Sequence, residues 1–171
     1  MKKVVVDVGC GDDKVGDIGI DKVRTKSVDI ICDVNISLPF KNEVVDGIIA
    51  YHVLEHVDDL VKVMEEICRV LKPGGIMKIA APHATSLNAF ADPTHKHFFT
   101  AFTMNYFTDK SELSYYSKAR FVIKKREFEF MPRWRWLKYI FNLRPEFFEK
   151  FLKITPFQVN MHWIMVKPKN D

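Results

Sequence analysis

The run VVVDVGCG at residues 4–11 constrains this chain more than any other stretch. Valines around Asp7 predict a buried strand, and Gly9 and Gly11 predict a tight turn at its end, where backbone meets a ligand that a side chain would obstruct. Open α/β sheets begin a nucleotide-type site in this way. The two glycines taken alone also fit an ordinary turn, so the inference rests on the motifs that follow them in order.

A chain of 171 residues is long enough for one hydrophobic core and too short for two ordinary domains, so residues 1–171 are read as a single domain. The longest apolar strings are interrupted by Lys, Asp or His, and none reaches the length of a membrane span. The start, MKKVVVDVGCGD, meets an acid and then a glycine turn, which fits a strand better than a signal peptide. Cys10, Cys32 and Cys68 form no CxxC pair, and three scattered thiols favour a reducing cytoplasm over a disulfide framework.

Strand and helix signals alternate through the first half. Residues 3–8, 16–21, 27–33 and 44–50 read as four strands, the second and third ending at Asp21 and near Asp33. Apolar positions at Val57, Leu60, Val61, Met64, Ile67, Cys68 and Leu71 then fit the three-and-four spacing of a one-faced helix. Lys72-Pro73-Gly74-Gly75 stops that helix, and GIMKIAAPH begins a fifth strand. Residues 99–116, FTAFTMNYFTDKSELSYY, suggest one helix or two short ones. ARFVIKKREFEF (119–130) and NMHWIMV near the C-terminus read as late strands. The fold class implied is α/β, with a mostly parallel central sheet and an antiparallel edge strand.

At this point the sequence resembles the class I, Rossmann-like methyltransferases that use S-adenosylmethionine, particularly the small type 11 group. The resemblance is carried by VVVDVGCG (4–11), IGID (18–21), CDV (32–34), VVDGIIAYHVLEHV (44–57) and EEICRVLKPGGIMKIAAP (65–82). It implies a single Rossmann-like domain that binds S-adenosyl-L-methionine and passes its methyl group to a small-molecule acceptor. By the same resemblance Gly9 and Gly11 approach the methionine and ribose portions, and Asp7 orients the loop or reaches the amino group through water. Asp21 then accepts from the ribose hydroxyls, Asp33 receives the adenine amino group, and Val34 packs on the ring. Carboxylates suit those positions because they accept from diols and amines and offer no competing donor. Tyr51 and His52, at the exit of the fourth strand, border the methionine end and the acceptor.

The chain departs from the family pattern in one region. Asp13 stands where a third glycine is common, and from Gly9 to Gly16 there are only eight residues, fewer than a parallel crossover ordinarily needs. The first helix is therefore expected to be missing or reduced to a turn. That loss leaves room for another reading, a degenerate methyltransferase fold serving as a protein or membrane interaction module. A nicotinamide oxidoreductase is disfavoured: Lys14 occupies a fingerprint glycine position and Asp21 arrives too early.

Two polar clusters invite further chemistry. His52 and His56 are four apart with Glu55 between them, but the order is not HExxH and no third ligand is in reach along the chain, so no metal is assigned. Asp92-Pro93-Thr94-His95-Lys96-His97 resembles a segment lying over the active-site mouth. His95 and His97 are the candidate catalytic bases, with His83 a further plausible base. Methyl transfer from a sulfonium depends chiefly on alignment, so a base is optional.

The segment 131–157 mixes Trp134, Trp136, Tyr139, Phe141, Phe147, Phe148 and Phe151 with basic residues. Arg133, Arg135, Lys138, Arg144, Lys150 and Lys153 outnumber Glu146 and Glu149 there, so the whole net charge of +4 is carried by this insert. Its composition suits a lid over the acceptor or a homodimer contact, and less well a peripheral lipid surface or nucleic acid.

Overall fold

The computed structural model describes residues 3–109, 111–150 and 158–169. A seven-stranded sheet in the order β3-β2-β1-β4-β5-β7-β6 forms the body. The strands are β1 (Val5–Val8), β2 (Ile18–Asp21), β3 (Ile30–Ile31), β4 (Val45–Tyr51), β5 (Leu71–Pro82), β6 (Val122–Phe130) and β7 (Val159–Val166). β1 to β5 pair in parallel, and β7 runs antiparallel to both β5 and β6. The expected antiparallel edge is thus a pair, with β7 inserted one place in from β6. The order reverses between β1 and β4, and such a switch point opens a crevice beyond the carboxyl ends of the strands.

Paired residues in the ladders show which face carries the core. Val6, Ile48, Met77 and Met165 lie in register, as do Val8, Ala50, Ile79 and Trp163, and all of them are buried. Helix α1 (Leu60–Val70) buries Val63, Met64, Ile67 and Val70; of the expected stripe Met64 and Ile67 are buried within it, while Leu60, Val61 and Cys68 are only partly covered. Asp59 caps it by accepting from the Lys62 amide at 3.0 Å. The opposite face carries Lys78, Lys125, Glu127 and His162.

Among the described residues no helix connects β1, β2, β3 and β4. The short Gly9–Gly16 crossover is turn and bend, as its length requires. The LKPGG sequence after α1 enters the β5 strand as an irregular start: Gly74 has φ +80°, and the register against β4 shifts between Val45 and Gly47. The region expected to hold one or two helices between 99 and 116 forms, among the described residues, two 3-10 turns, Thr103–Phe107 and Ser114–Tyr116. No helix among the described residues is long and apolar enough to cross a membrane.

Candidate active site

A cleft of about 660 Å³ opens at the switch point, lined by Gly9, Asp21, Asp33, Val34, His52 and Val53 among others. Gly9 has φ +66°, and a Cβ there would stand 2.6 Å from Val53 Cγ2, so this turn closes against Val53 only as glycine. Its amide and that of Cys10 both donate to Ile20 O, at 2.8 and 3.2 Å, which ties the turn to β2. Gly11, at φ +51°, donates to Asp21 Oδ2 at 3.1 Å, while Asp21 Oδ1 accepts from the Val23 amide at 2.9 Å. Each Asp21 oxygen keeps a second acceptor direction. Asp33 Oδ1 accepts from the Asn35 backbone and side chain at 2.9 and 3.0 Å. No donor among the described residues reaches the other Asp33 oxygen.

Five of the predicted cofactor residues, Gly9, Asp21, Asp33, Val34 and His52, therefore meet on one cleft. Asp7, Gly11 and Tyr51 stand around it and do not line it. Asp7 is buried, and its Oδ2 accepts from the Val15 amide at 2.7 Å. Burial pushes its carboxyl up, opposed by the Val15 and Gly16 amides and the Lys14 charge. Asp7 thus fastens the shortened crossover in place of a helix. Tyr51 packs edge-on to His162, with ring centroids 6.3 Å apart, and burial first and the Asp7 charge second push its phenol up. The Val53 wall and the contribution of Asn35 were not anticipated from the sequence, because neither residue type carries a signal for its position.

His52 lies in left-handed backbone, φ +55°, held by its amide on Ala80 O at 2.9 Å, and its Nδ1 sits 3.3 Å from Glu55 Oε1. Beyond it a second, more open cavity is lined by Glu55, Asp92, His95 and Asn160 and shares His52, His56 and Pro93 with the cleft. Asn160 comes from β7, a contribution no local motif announced. His95 reaches this cavity with its Nδ1 donating to Ala89 O at 2.9 Å.

The other two candidate bases are not brought there. His97 Nε2 donates to Val57 O at 2.9 Å, and the ring lines a separate recess beside Leu60 and Tyr106. His83 is fully buried: its Nδ1 accepts from the Thr85 amide at 3.2 Å, so its Nε2–H donates to Glu149 at 3.0 Å. Burial pushes the Glu149 carboxyl up, but the His83 bond, the Ala101 amide and the Arg126 charge outweigh it and hold it below the usual range.

Glu149 belongs to the described part of the aromatic insert, which holds α3 (Leu137–Phe141) and α4 (Pro145–Glu149). Phe141 packs on Phe128 and Phe130 at 5.9 and 5.2 Å, and the Asn142 side chain makes paired bonds to the Phe128 backbone. The insert is thereby docked on β6 and contributes no described residue to either cavity. Trp136, Tyr139, Leu143 and Phe147 remain exposed. Phe151 and Lys153, which belong to the predicted insert, lie outside the described residues.

A seven-stranded sheet in this order, one antiparallel strand, and a cleft with acids at the ends of β2 and β3 define the class I, Rossmann-like methyltransferase fold. Residues 17–79 match the methyltransferase domain of the type 11 group, beginning just after the shortened crossover. Three solved structures share the fold. A SAM-dependent methyltransferase from Archaeoglobus fulgidus is 19% identical with a TM-score of 0.63, over 96% of this chain and 86% of its own. A possible histamine N-methyltransferase from Thermotoga maritima is 16% identical with a TM-score of 0.60, over 98% and 83%. The [4+2]-cyclase SpnF is 19% identical with a TM-score of 0.63, over 98% and 76%. No curated protein matches the chain. Over residues 17–79 the chain is similar to the type 11 methyltransferase domain, and its fold is the one seen in S-adenosylmethionine-dependent methyltransferases.

The cleft suits that cofactor. Its volume falls within the range of small-molecule sites. The open Asp33 oxygen, with Val34 and Cys32 beside it, offers an acceptor next to an apolar wall for an adenine, and Asp21 offers acceptors for a diol.

Proposed function

We propose that this chain methylates a small polar molecule seated in the second cavity. The observation that carries the reading is the wall shared by the two cavities: His52, His56 and Pro93 border both, so a donor in the first faces an acceptor in the second. S-adenosylmethionine supplies an electrophilic sulfonium methyl group. Asp21, Asp33 and Val34 hold its nucleoside end, and the Gly9 turn and His52 border its methionine end. The acceptor cavity is walled by His52, Glu55, His56, Asp92, His95 and Asn160, a set that favours a hydrogen-bonding ligand over a lipid chain. His95 is the base in reach of such an acceptor, with its Nδ1 proton directed to Ala89 O and its Nε2 free to take a proton. The unpaired state of Cys10, Cys32 and Cys68 supports a reducing, cytoplasmic setting.

Calorimetry of S-adenosylmethionine and S-adenosylhomocysteine on cofactor-free protein tests the first half of this reading. Micromolar binding is expected, followed by a gain of one methyl mass in a screen of small polar acceptors. Folded protein that binds neither compound would refute it and favour an interaction module.

A further inference from the structure

Glu55 is the least explained residue of the acceptor cavity. It is buried, and its Oε2 has no hydrogen-bond partner. A buried carboxylate oxygen without a donor is costly to fold and is rare in native proteins unless water or an ion meets it. Ligand atoms of Glu55, His56 and His95 lie within 4.8 Å of one another. We propose that these three residues bind a divalent transition-metal ion of the zinc type, leaving a coordination position open to the acceptor.

The hydrogen bonds around both rings support this assignment. Thr94 Oγ1 donates to Asp92 Oδ1 at 2.6 Å, so it accepts the proton on His56 Nδ1, 2.8 Å away. Ala89 O, which can only accept, fixes the His95 proton on Nδ1. Each ring therefore presents an unprotonated Nε2, the form a metal needs, and each is oriented by an acceptor behind it as metal-bound histidines are. His52 satisfies Glu55 Oε1 and leaves Oε2 for the ion.

The two halves of the site come from segments some forty residues apart in sequence, and backbone holds them together. The Lys96 and His97 amides donate to Glu55 O at 2.7 and 3.2 Å, and the His97 ring donates to Val57 O. His97 is accordingly a positioning residue. Two histidines and a glutamate with an open place is a set used by catalytic zinc. Ligand atoms of a tetrahedral ion with bonds of about 2 Å lie roughly 3.4 Å apart, so from separations within 4.8 Å the trio closes by at most about 1.4 Å on binding.

With the ion bound, His95 Nε2 is a ligand and the ion replaces it in activating the acceptor; that role rests on the methyltransfer reading, and the ion's binding does not. The open position suits an acceptor with an oxygen or nitrogen donor, drawn against the wall that both cavities share.

The test is titration of chelator-treated, full-length protein with Zn²⁺ by calorimetry and with Co²⁺ by visible absorption. The expected result is one ion per chain, with the intense Co²⁺ bands of a four-coordinate site. Affinity should fall roughly 100-fold or more in His56→Gln and in His95→Gln, each checked for folding by circular dichroism, and stay unchanged in His162→Gln. No binding by the unmodified protein, or binding indifferent to both substitutions, would overturn the proposal. S-adenosylmethionine binding to the same metal-free sample separates the outcomes: its retention without any metal binding sinks the ion and leaves the methyltransfer reading standing.

Discussion

Replacing Gly9 with alanine tests how the cleft is built, with Gly11 as an internal control. Both residues occupy left-handed backbone, at φ +66° and +51°, where a Cβ costs about 1–2 kcal/mol. At Gly11 nothing lies within 4 Å of the added atom, so that strain is the whole penalty. At Gly9 the new Cβ also meets Val53 Cγ2 at 2.6 Å and Val53 Cβ at 2.8 Å, an overlap whose relief adds about 1–3 kcal/mol. Gly9→Ala should therefore lose roughly 2–5 kcal/mol and Gly11→Ala roughly 1–2, by urea denaturation with an unchanged slope. A chain this size gives about 2–4 °C of melting shift per kcal/mol, enough to separate the two variants. Since Val53 lines the cleft, relieving the overlap also disturbs the cofactor's wall, and S-adenosylmethionine affinity should fall further in Gly9→Ala than in Gly11→Ala. Adding Val53→Ala removes the Cγ2 contact but leaves the Cβ contact, so it should restore part of the loss. Equal penalties for Gly9→Ala and Gly11→Ala, or strict additivity with Val53→Ala, would refute the reasoning.

Three further outcomes follow from other contacts. Asp33→Ala gives up bonds only to the neighbouring Asn35, so calorimetry should show S-adenosylmethionine affinity down roughly 10- to 100-fold, equivalent to one charge-assisted bond, with little change in melting temperature. Arg69 bonds Glu66 and the Leu38 and Phe40 carbonyls, joining α1 to the segment before β4; Arg69→Ala should cost about 2 kcal/mol in chemical denaturation while leaving cofactor affinity near its original value. Glu149, held below the usual carboxylate range in the folded state, contributes stability that is present above its unfolded value of about 4.3 and is lost as pH falls through the folded value. Glu149→Gln should therefore be less stable than the parent at neutral pH, with the gap narrowing below about pH 4.3; a gap independent of pH would argue against the His83–Glu149 anchor.

Where one residue's chemistry and its position on a strand determined its place, the sequence was legible. Val6 and Val8 alternate into the core, and Asp21 ends β2 in the cleft because the motif fixes both the strand and its end. The absence of a first helix was legible too, since the Gly9–Gly16 span is too short for one. The function of Asp7 was only half legible: the sequence suggested that it orients the loop or reaches the cofactor, and the fold turns it onto the Val15 amide. The two late strands suggested an antiparallel edge, but the place of β7 between β5 and β6 depends on pairings such as Ala81 with Met161 and Phe128 with Met161. Those pairings are decided by how side chains from distant strands fill one layer.

The histidines show most clearly where linear spacing stops being informative. Read along the chain, His52, Glu55 and His56 lack a third ligand in any known order, and Asp92, His95 and His97 look like a single cluster offering two equivalent bases. In the fold Glu55 O accepts the Lys96 and His97 amides, an interaction between main-chain atoms that any residue types could make. That pairing sends His97 back toward Val57 and His95 forward over His56, with ring centroids 4.7 Å apart. Residues two apart in a regular strand would share a side, so it is the irregular backbone of this segment, docked on Glu55 O, that divides the two histidines between different tasks. One pins the segment and the other faces the cavity. The apparent equivalence of His95 and His97 in the sequence is thus resolved by the direction of two backbone hydrogen bonds, and the ligand missing from the first cluster is supplied by the second.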